Sequence, residues 1–354
     1  MSARIGERSR PPHVVILVEN LPVPLDRRVW NEAVALRAAG WRVSVVGPRG
    51  PRDMRAFRDV RDGITLYRYP QRAATGLAGY LVEYLPSLTF TALWLLWIRL
   101  HRQIDVIHGC NPPDLLFLFG ALARARGGAY VFDQHDVNPE LSETKWGRSG
   151  VKGLLYRLTL ALERASYRTA SLVIVVNEAY ASIARRRGGV PEEALAIVPN
   201  APDRDAIREH ASAAPPPADD GPFRVGYLGV MGSQDGIDRL IEACAHVQDL
   251  MDRRLTLDLV GDGEARARLT RLAAQRGVDA VFHGYAGAEV YAPLLAGCHV
   301  LVCPDPPTPF NRVSTMTKVV DYLAIGRPIV SFALDETTRL VGPAGVVVEP
   351  PTAE

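Results

Sequence analysis

Short apolar runs rich in β-branched residues alternate with helical stretches along almost the entire chain. His13–Val18 (HVVILV), Arg42–Val46, Ile64–Tyr67, Asp105–His108, Ala129–Phe132 and Leu172–Val176 form a first series. Phe223–Leu228 (FRVGYL), Leu255–Val260, Ala280–His283, Val300–Cys303 and Pro328–Phe332 form a second. Between the first two runs, Asp26 is placed to cap a helix. Val29, Ala33 and Leu36 follow at helical spacing, and Gly40 stops it. The later helical stretches include Asp235 onward, Glu264–Arg276 and about Thr315–Ile325. Strands that alternate with helices in this way demand parallel βαβ units and a doubly wound sheet. At about 150 residues per domain, the 354 residues leave room for two such sheets.

Residues 205–222 (DAIREHASAAPPPADDGP) break the alternation: they carry three consecutive prolines and no apolar period. They read as a linker, which divides the chain into a first domain over 1–204 and a second over 223–354. A content of 47% hydrophobic and 23% charged residues is that of an ordinary globular protein. The formal net charge of +2 gives no reason to expect nucleic acid as a partner. The four cysteines, Cys110, Cys244, Cys298 and Cys303, form no C-x-x-C pair and no metal-ligand spacing. They read as reduced thiols of a cytoplasmic protein. The Arg-rich start, Met1 to Pro12, leads into no signal-peptide core.

The most apolar stretch lies between Tyr80 and Leu100 and contains Trp94 and Trp97. Its clean part, Ser87 to Ile98, is shorter than the ~20 residues a bilayer span needs. One reading is a crossover helix packed on the sheet. The other is a helix that also docks on the inner face of a membrane, because Trp, Arg99 and Arg102 suit an interface.

Neither G-x-G-x-x-G nor G-x-x-x-x-G-K-[ST] follows a first strand, which disfavours nicotinamide and P-loop chemistry. The turn Gly229–Gly236 (GVMGSQDG) can still bring backbone N–H groups to an anion at a helix start, or it can simply be a tight turn. Phe310–Gly326 (FNRVSTMTKVVDYLAIG) is more informative. Met316, Val319, Val320, Leu323 and Ala324 make a buried helical face, which leaves Lys318 and Asp321 on the other side. N–H groups at Ser314, Thr315 and Met316, a lysine one turn in and a carboxylate beyond match a nucleoside diphosphate with its ribose. A solvated ion pair is the plainer alternative. Phe132–Glu140 (FDQHDVNPE) follows a strand, so His135 and Asp136 stand at its C-terminal end, where they can bind sugar hydroxyls or move protons. Asn111–Asp114 (NPPD) occupies the same rim. Asp203 and Asp205 form a D-x-D pattern, but at a linker start such acids are common.

Taken together, Val23–Ala33 (VPLDRRVWNEA), Phe132–Glu140, Ile197–Asn200 (IVPN), Tyr227–Asp238, Val260–Glu264 (VGDGE), Phe282–Gly284 (FHG) and Ser314–Gly326 resemble the retaining GT-B glycosyltransferases of family 4. The likeness is closest to bacterial members that build exopolysaccharide or surface glycans. It implies an α/β GT-B fold of two doubly wound Rossmann-like domains facing a central cleft. The second domain would bind a nucleotide-diphosphate sugar and the first a glycan or lipid-linked acceptor. It further implies donor contacts from Gly229, Met231, Gly232, Asp262, His283, Gly284, Asn311, Ser314, Thr315, Met316 and Asp321. Acceptor contacts would come from Asn20, Arg27, Asn111 and Asp114, and catalytic roles would fall to His135, Asp136 and Lys318. Asp321 stands where the family has the second Glu of its Glu–seven residues–Glu motif. No cofactor and no metal are implied: positive charge and helix dipoles stabilise the leaving diphosphate.

Three departures stand out. The first Glu of that motif is Val313 here. The Arg and Lys usual after the first strand of the second domain are replaced by Met231–Gly236 (MGSQDG). Asp for Glu at 321 shortens the ribose contact. Lys318, one of only three lysines, can supply the missing charge, and Asn311 the missing sugar contact. Two alternatives stay open: a sugar-nucleotide epimerase on the same fold, and a non-catalytic glycan-assembly partner. Against the family, the chain is expected to lack its C-terminal helices.

Overall fold

The computed structural model describes residues 10–71, 76–200, 202–232 and 234–349, and leaves aside the side chains of residues 52, 76–83 and 151. The Arg-rich start as far as residue 9, Ser233 of the glycine turn, the side chains of Tyr80 and Glu83, and residues 350–354 lie outside the described residues. By its internal contacts the chain divides into Met1–Pro199 and Asn200–Glu354.

In the first unit, β1 (His13–Leu17), α1 (Arg27–Ala38), β2 (Arg42–Pro48), β3 (Arg58–Arg61), β4 (Ile64–Tyr69) and α2 (Gly76–His101) come first. They are followed by β5 (Val106–Cys110), α3 (Phe117–Arg124), β6 (Ala129–Gln134), α4 (Asn138–Trp146), α5 (Val151–Thr169), β7 (Leu172–Val175), α6 (Glu178–Ile183) and β8 (Leu195–Ile197). The strands lie in the order β3-β4-β2-β1-β5-β6-β7-β8, parallel except for the β3–β4 hairpin. Asp26 caps α1 as expected, its carboxylate accepting from Val29 N–H, and Val29 and Ala33 are fully buried against the sheet. Every residue of β1 is buried, which is why it reads as a continuous apolar run rather than an alternating one.

In the second unit the order is α7 (Arg204–Ser212), β9 (Phe223–Leu228), α8 (Ile237–Leu250), β10 (Leu255–Val260), α9 (Arg266–Arg276), β11 (Asp279–Gly284) and α10 (Ala288–Ala296). β12 (Val300–Cys303), α11 (Pro309–Val313), α12 (Thr317–Ile325), β13 (Ile329–Phe332), α13 (Asp335–Val341) and β14 (Gly345–Val348) complete the list. The sheet order β11-β10-β9-β12-β13-β14 is all parallel. In order of appearance that is 3-2-1-4-5-6, the doubly wound Rossmann arrangement.

Three expectations change. The C-terminal helices said to be lacking are present as α11, α12 and α13. The segment read as linker from residue 205 begins as helix α7. Asp203 caps it through Ala206 N–H, so the D-x-D pattern is a helix start, and Ile207 and Ala211 bury in the core of the second unit. A period of only two buried residues in nine was too weak to see in sequence.

The membrane-docking reading of residues 80–100 is overturned. Trp94 donates its indole N–H to Arg68 O at 3.2 Å, and its ring centroid lies 5.0 Å from that of Tyr67. Phe90 stacks on Tyr69, while Ser87, Thr91 and Ile98 are buried. The aromatic residues therefore pack α2 onto β4. An anchoring helix needs its apolar residues gathered on one outward face, and in α2 they are spread around the axis. Among the described residues no helix is long and apolar enough to cross a membrane.

Candidate active site

In a doubly wound sheet the loops at the strand C-termini open where the strand order reverses. In the second unit that place lies between β9 and β12. Tyr322 of α12 joins the two strands: its hydroxyl accepts from Leu228 N–H at 2.8 Å and donates to Val302 O at 3.1 Å. The turn after β9 is locked to the turn after β10. Met231 N–H donates to Asp262 O at 3.0 Å, and Ala265 N–H donates to Met231 O at 2.9 Å. A Cβ on Gly261, whose φ is +127°, would lie 1.8 Å from Gly229 O. Gly261 and Gly263, where a Cβ would meet Gly229 O and Met231 O, thus allow the turn after β10 to approach the backbone of the turn after β9.

Lys318, in the first turn of α12, reaches into this locked pair of turns. A Cβ at Gly229 would stand 3.1 Å from Lys318 Cε. The ammonium lies 2.8 and 3.0 Å from the two carboxylate oxygens of Asp305, 3.4 Å from Tyr227 Oη and 4.8 Å from that ring's centroid. Burial works against the charged amine, but the neighbouring Asp305 outweighs it and holds Lys318 well above its ordinary range. Asp305 is the partner that sequence reading missed. Its position two residues beyond β12, at the switch point, was the available signal.

The other donor-side candidates divide. Gly232 N–H, expected to face an anion, donates to Asp235 Oδ2 at 2.7 Å. Burial raises the Asp235 carboxyl above its usual range. Asp262 is turned outward, and its carboxylate accepts from Gly263 N–H and pairs with Arg266 at 3.0 Å. Asn311 is buried and donates its amide to Pro306 O at 2.9 Å, so it braces its own loop. Ser314 donates its hydroxyl to Phe310 O. Thr315 and Met316 lead into α12, with Met316 at the N-cap. Asp321 is buried beside Val319 and Tyr322, not on an open face with Lys318. His283 turns its Nε2 to Asp258 Oδ1 at 2.8 Å, and Asp258 also holds Arg224. Gly284 follows at φ +76°.

In the first unit the corresponding reversal lies between β1 and β5. Asp133, fully buried at the end of β6, accepts from Arg28 at 2.7 Å on Oδ1. Its Oδ2 lies 2.7 Å from His135 Nε2 and 3.3 Å from His108 Nε2. Burial alone would raise the Asp133 carboxyl, yet these cationic and donor neighbours hold it well below the usual carboxylate range. For His135, burial lowers and Asp133 raises; Asp133 prevails, and the imidazole stays protonated above its usual range. Glu32, 3.2 Å from Arg28, is pushed up to about 7 by burial and by the charge of Asp133.

Asn111 and Asp114, expected on the acceptor side, are buried. Asn111 Oδ1 accepts from the N–H groups of His135 and Asp136 at 2.6 and 3.1 Å, and its amide donates to Asp114 at 2.9 Å. They set the loop that carries His135 and Asp136. Burial raises the carboxyl of Asp136, and that of Asp114 to about 6. Asn20 and Arg27 are exposed. A groove of about 840 Å³ between α2 and α3 lies at the opposite, N-terminal ends of the strands and contains none of these residues.

The glycosyl transferase 4-like domain matches residues 25–201, half of the chain, and the glycosyl transferases group 1 domain matches 222–354. No curated protein matches the chain. Among solved structures it is similar to a sucrose-phosphate synthase from Thermosynechococcus elongatus, at 20% identity and a TM-score of 0.71 over 97% of this chain and 86% of that one. WaaG, a glycosyltransferase of lipopolysaccharide biosynthesis, gives 18% identity and 0.67 over 96% and 86%. HepE from Anabaena, solved with UDP and glucose, gives 20% and 0.63 over 95% and 85%. Two Rossmann-like domains, each matched along its length by a glycosyltransferase domain, place this chain in the family of GT-B glycosyltransferases, enzymes that move a sugar from a nucleotide-diphosphate sugar to an acceptor.

Proposed function

We propose that the enzyme transfers its sugar to a glycan or lipid-linked acceptor with retention of the anomeric configuration, and that the nucleotide-sugar is held around Lys318. One observation carries this reading. Lys318, the N-terminus of α12 and the locked turns at Gly229 and Gly261 converge where the strand order reverses. A diphosphate there meets an ammonium and a helix N-terminus together. Asp305 holds the ammonium in place until phosphate oxygens compete for it. Gly229, Met231 and Gly232 form the floor of this site, and Ser314, Thr315 and Met316 its edge. His283 with Gly284 meets the base; Asp321, Asp262 and Asn311 act by shaping the helix and loops that carry them.

In the transfer, the bond from the anomeric carbon to the phosphate oxygen breaks. The acceptor oxygen bonds to that carbon on the same face, and its proton passes to the leaving phosphate oxygen. Lys318 stabilises the charge that develops there. His135 acts as a hydrogen-bond donor to a sugar hydroxyl rather than as a base, because Asp133 favours its protonated form. Asp136 accepts beside it. Asn20 and Arg27 meet the acceptor from the exposed rim.

Titration with UDP- and GDP-sugars tests the donor site, starting with UDP-glucose. Saturable binding that Lys318→Ala weakens at least tenfold is the expected result. Binding that Lys318→Ala leaves unchanged, or no binding by the folded protein, contradicts it.

A further inference from the structure

A second cluster lies under His135 and shares Asp133 with it. His108 and Cys110 are two residues apart on β5 and so point to one face of the sheet. Asp133 of β6 is the register partner of Cys110 and lies beside it. Glu32 comes down from α1, one turn after Arg28. Ligand-type atoms of these four residues all lie within 4.8 Å of one another. Cys110 and Asp133 are almost inaccessible to water, and His108 is buried.

We propose that Glu32, His108, Cys110 and Asp133 form a tetrahedral zinc site that fastens α1 to β5 and β6.

The spacing fits. Ordinary Zn–N and Zn–O bonds set tetrahedral edges of about 3.3 Å, and a Zn–S bond opposite an oxygen sets about 3.5 Å. His108 Nε2 lies 3.3 Å from Asp133 Oδ2 and 3.5 Å from Glu32 Oε2, and Cys110 Sγ lies 3.8 Å from Asp133 Oδ2. Arg28 holds both carboxylates: it donates to Asp133 Oδ1 at 2.7 Å and more weakly to Oδ2 at 3.4 Å, and it lies 3.2 Å from Glu32 Oε1, so Glu32 Oε2 turns to His108. Outer partners of this kind orient metal ligands. Neither Glu32 oxygen accepts a well-formed hydrogen bond, although both are shielded from water. A bound ion would share Asp133 Oδ2 with His135 at 2.7 Å and with the longer contact from Arg28 at 3.4 Å. On binding, Cys110 gives up its thiol proton to solvent. Two carboxylates and a thiolate then outweigh the guanidinium of Arg28 and the imidazolium of His135, and a divalent ion offsets the excess negative charge. A mixed imidazole, thiolate and carboxylate set selects zinc over magnesium or calcium.

The full chain, without a histidine tag, is stripped with chelator and titrated with zinc chloride and, separately, with cobalt(II) chloride. One zinc per chain and a rise in Tm are expected. Cobalt should give the intense visible bands of a tetrahedral ion with a near-ultraviolet thiolate band. Cys110→Ser should abolish the thiolate band and weaken zinc binding at least tenfold, and His108→Ala should remove stoichiometric binding. Cys244→Ser, at a buried thiol elsewhere, should change nothing. Failure of the folded wild-type chain to take up one equivalent of either ion overturns the proposal. So does a cobalt spectrum that is octahedral or indifferent to Cys110→Ser.

Discussion

Lys318, on which the proposed donor site rests, is also held in a buried ion pair. Its ammonium and the Asp305 carboxylate are nearly buried, and removal of one partner from a buried pair costs about 3–5 kcal/mol because the other charge is left without compensation. Lys318→Ala is therefore expected to lose stability as well as donor affinity. The double change Lys318→Met with Asp305→Asn should restore most of the stability and none of the affinity, and denaturant unfolding alongside ligand titration separates the two. Asp114 gives a pH signature. Its carboxyl titrates at about 6 when folded and near 3.9 when unfolded, so the folded state holds the proton longer. The contribution is complete below the unfolded value and is lost as pH rises through about 6. It amounts to up to about 3 kcal/mol. Asp114→Asn should flatten the stability profile between pH 4 and 6.5 by roughly that much relative to wild type. His135 was legible in sequence from its place after a strand. Asp133 stands only two residues before His135, but its burial could not be read there. Asp305, which holds Lys318 from another loop, was not legible, because such pairing has no fixed sequence spacing. The same reason hid the Glu32–His108–Cys110–Asp133 cluster, whose members are scattered from residue 32 to 133.

Among the elements, the long apolar runs were the easiest to read, since a strand buried on both faces leaves a continuous signature. Short amphipathic pieces were harder: α7 buries only Ile207 and Ala211, and its neighbouring prolines drew the reading towards a linker. The apolar helix α2 could be read two ways from composition. Packing decided between them, with Trp94 bonded to β4. The glycine turns were seen, but their purpose belongs to tertiary structure. Gly261→Ala, which would meet Gly229 O, is expected to cost more than about 3 kcal/mol and to disturb donor binding. Gly277→Ala, at φ +68° with open space around it, should cost only about 1–2 kcal/mol and leave binding intact. Equal costs in thermal unfolding would remove the close-approach explanation.

For the molecule as a whole, the proposed chemistry is placed by two doubly wound sheets, the second all parallel and the first parallel except for the β3–β4 hairpin. Alternating runs predicted both sheets; His135 follows β6, one strand beyond the first reversal, and Lys318 lies in α12, after β12 of the second. The central claim is that this arrangement breaks a nucleotide-sugar bond and keeps the sugar's configuration. Real-time proton NMR of the enzyme with UDP-glucose, with water as the acceptor, tests it most directly. The account predicts release of UDP together with α-glucose, before mutarotation, at a rate that Lys318→Ala abolishes. Release of β-glucose first, or a new UDP-sugar formed without UDP, would contradict it.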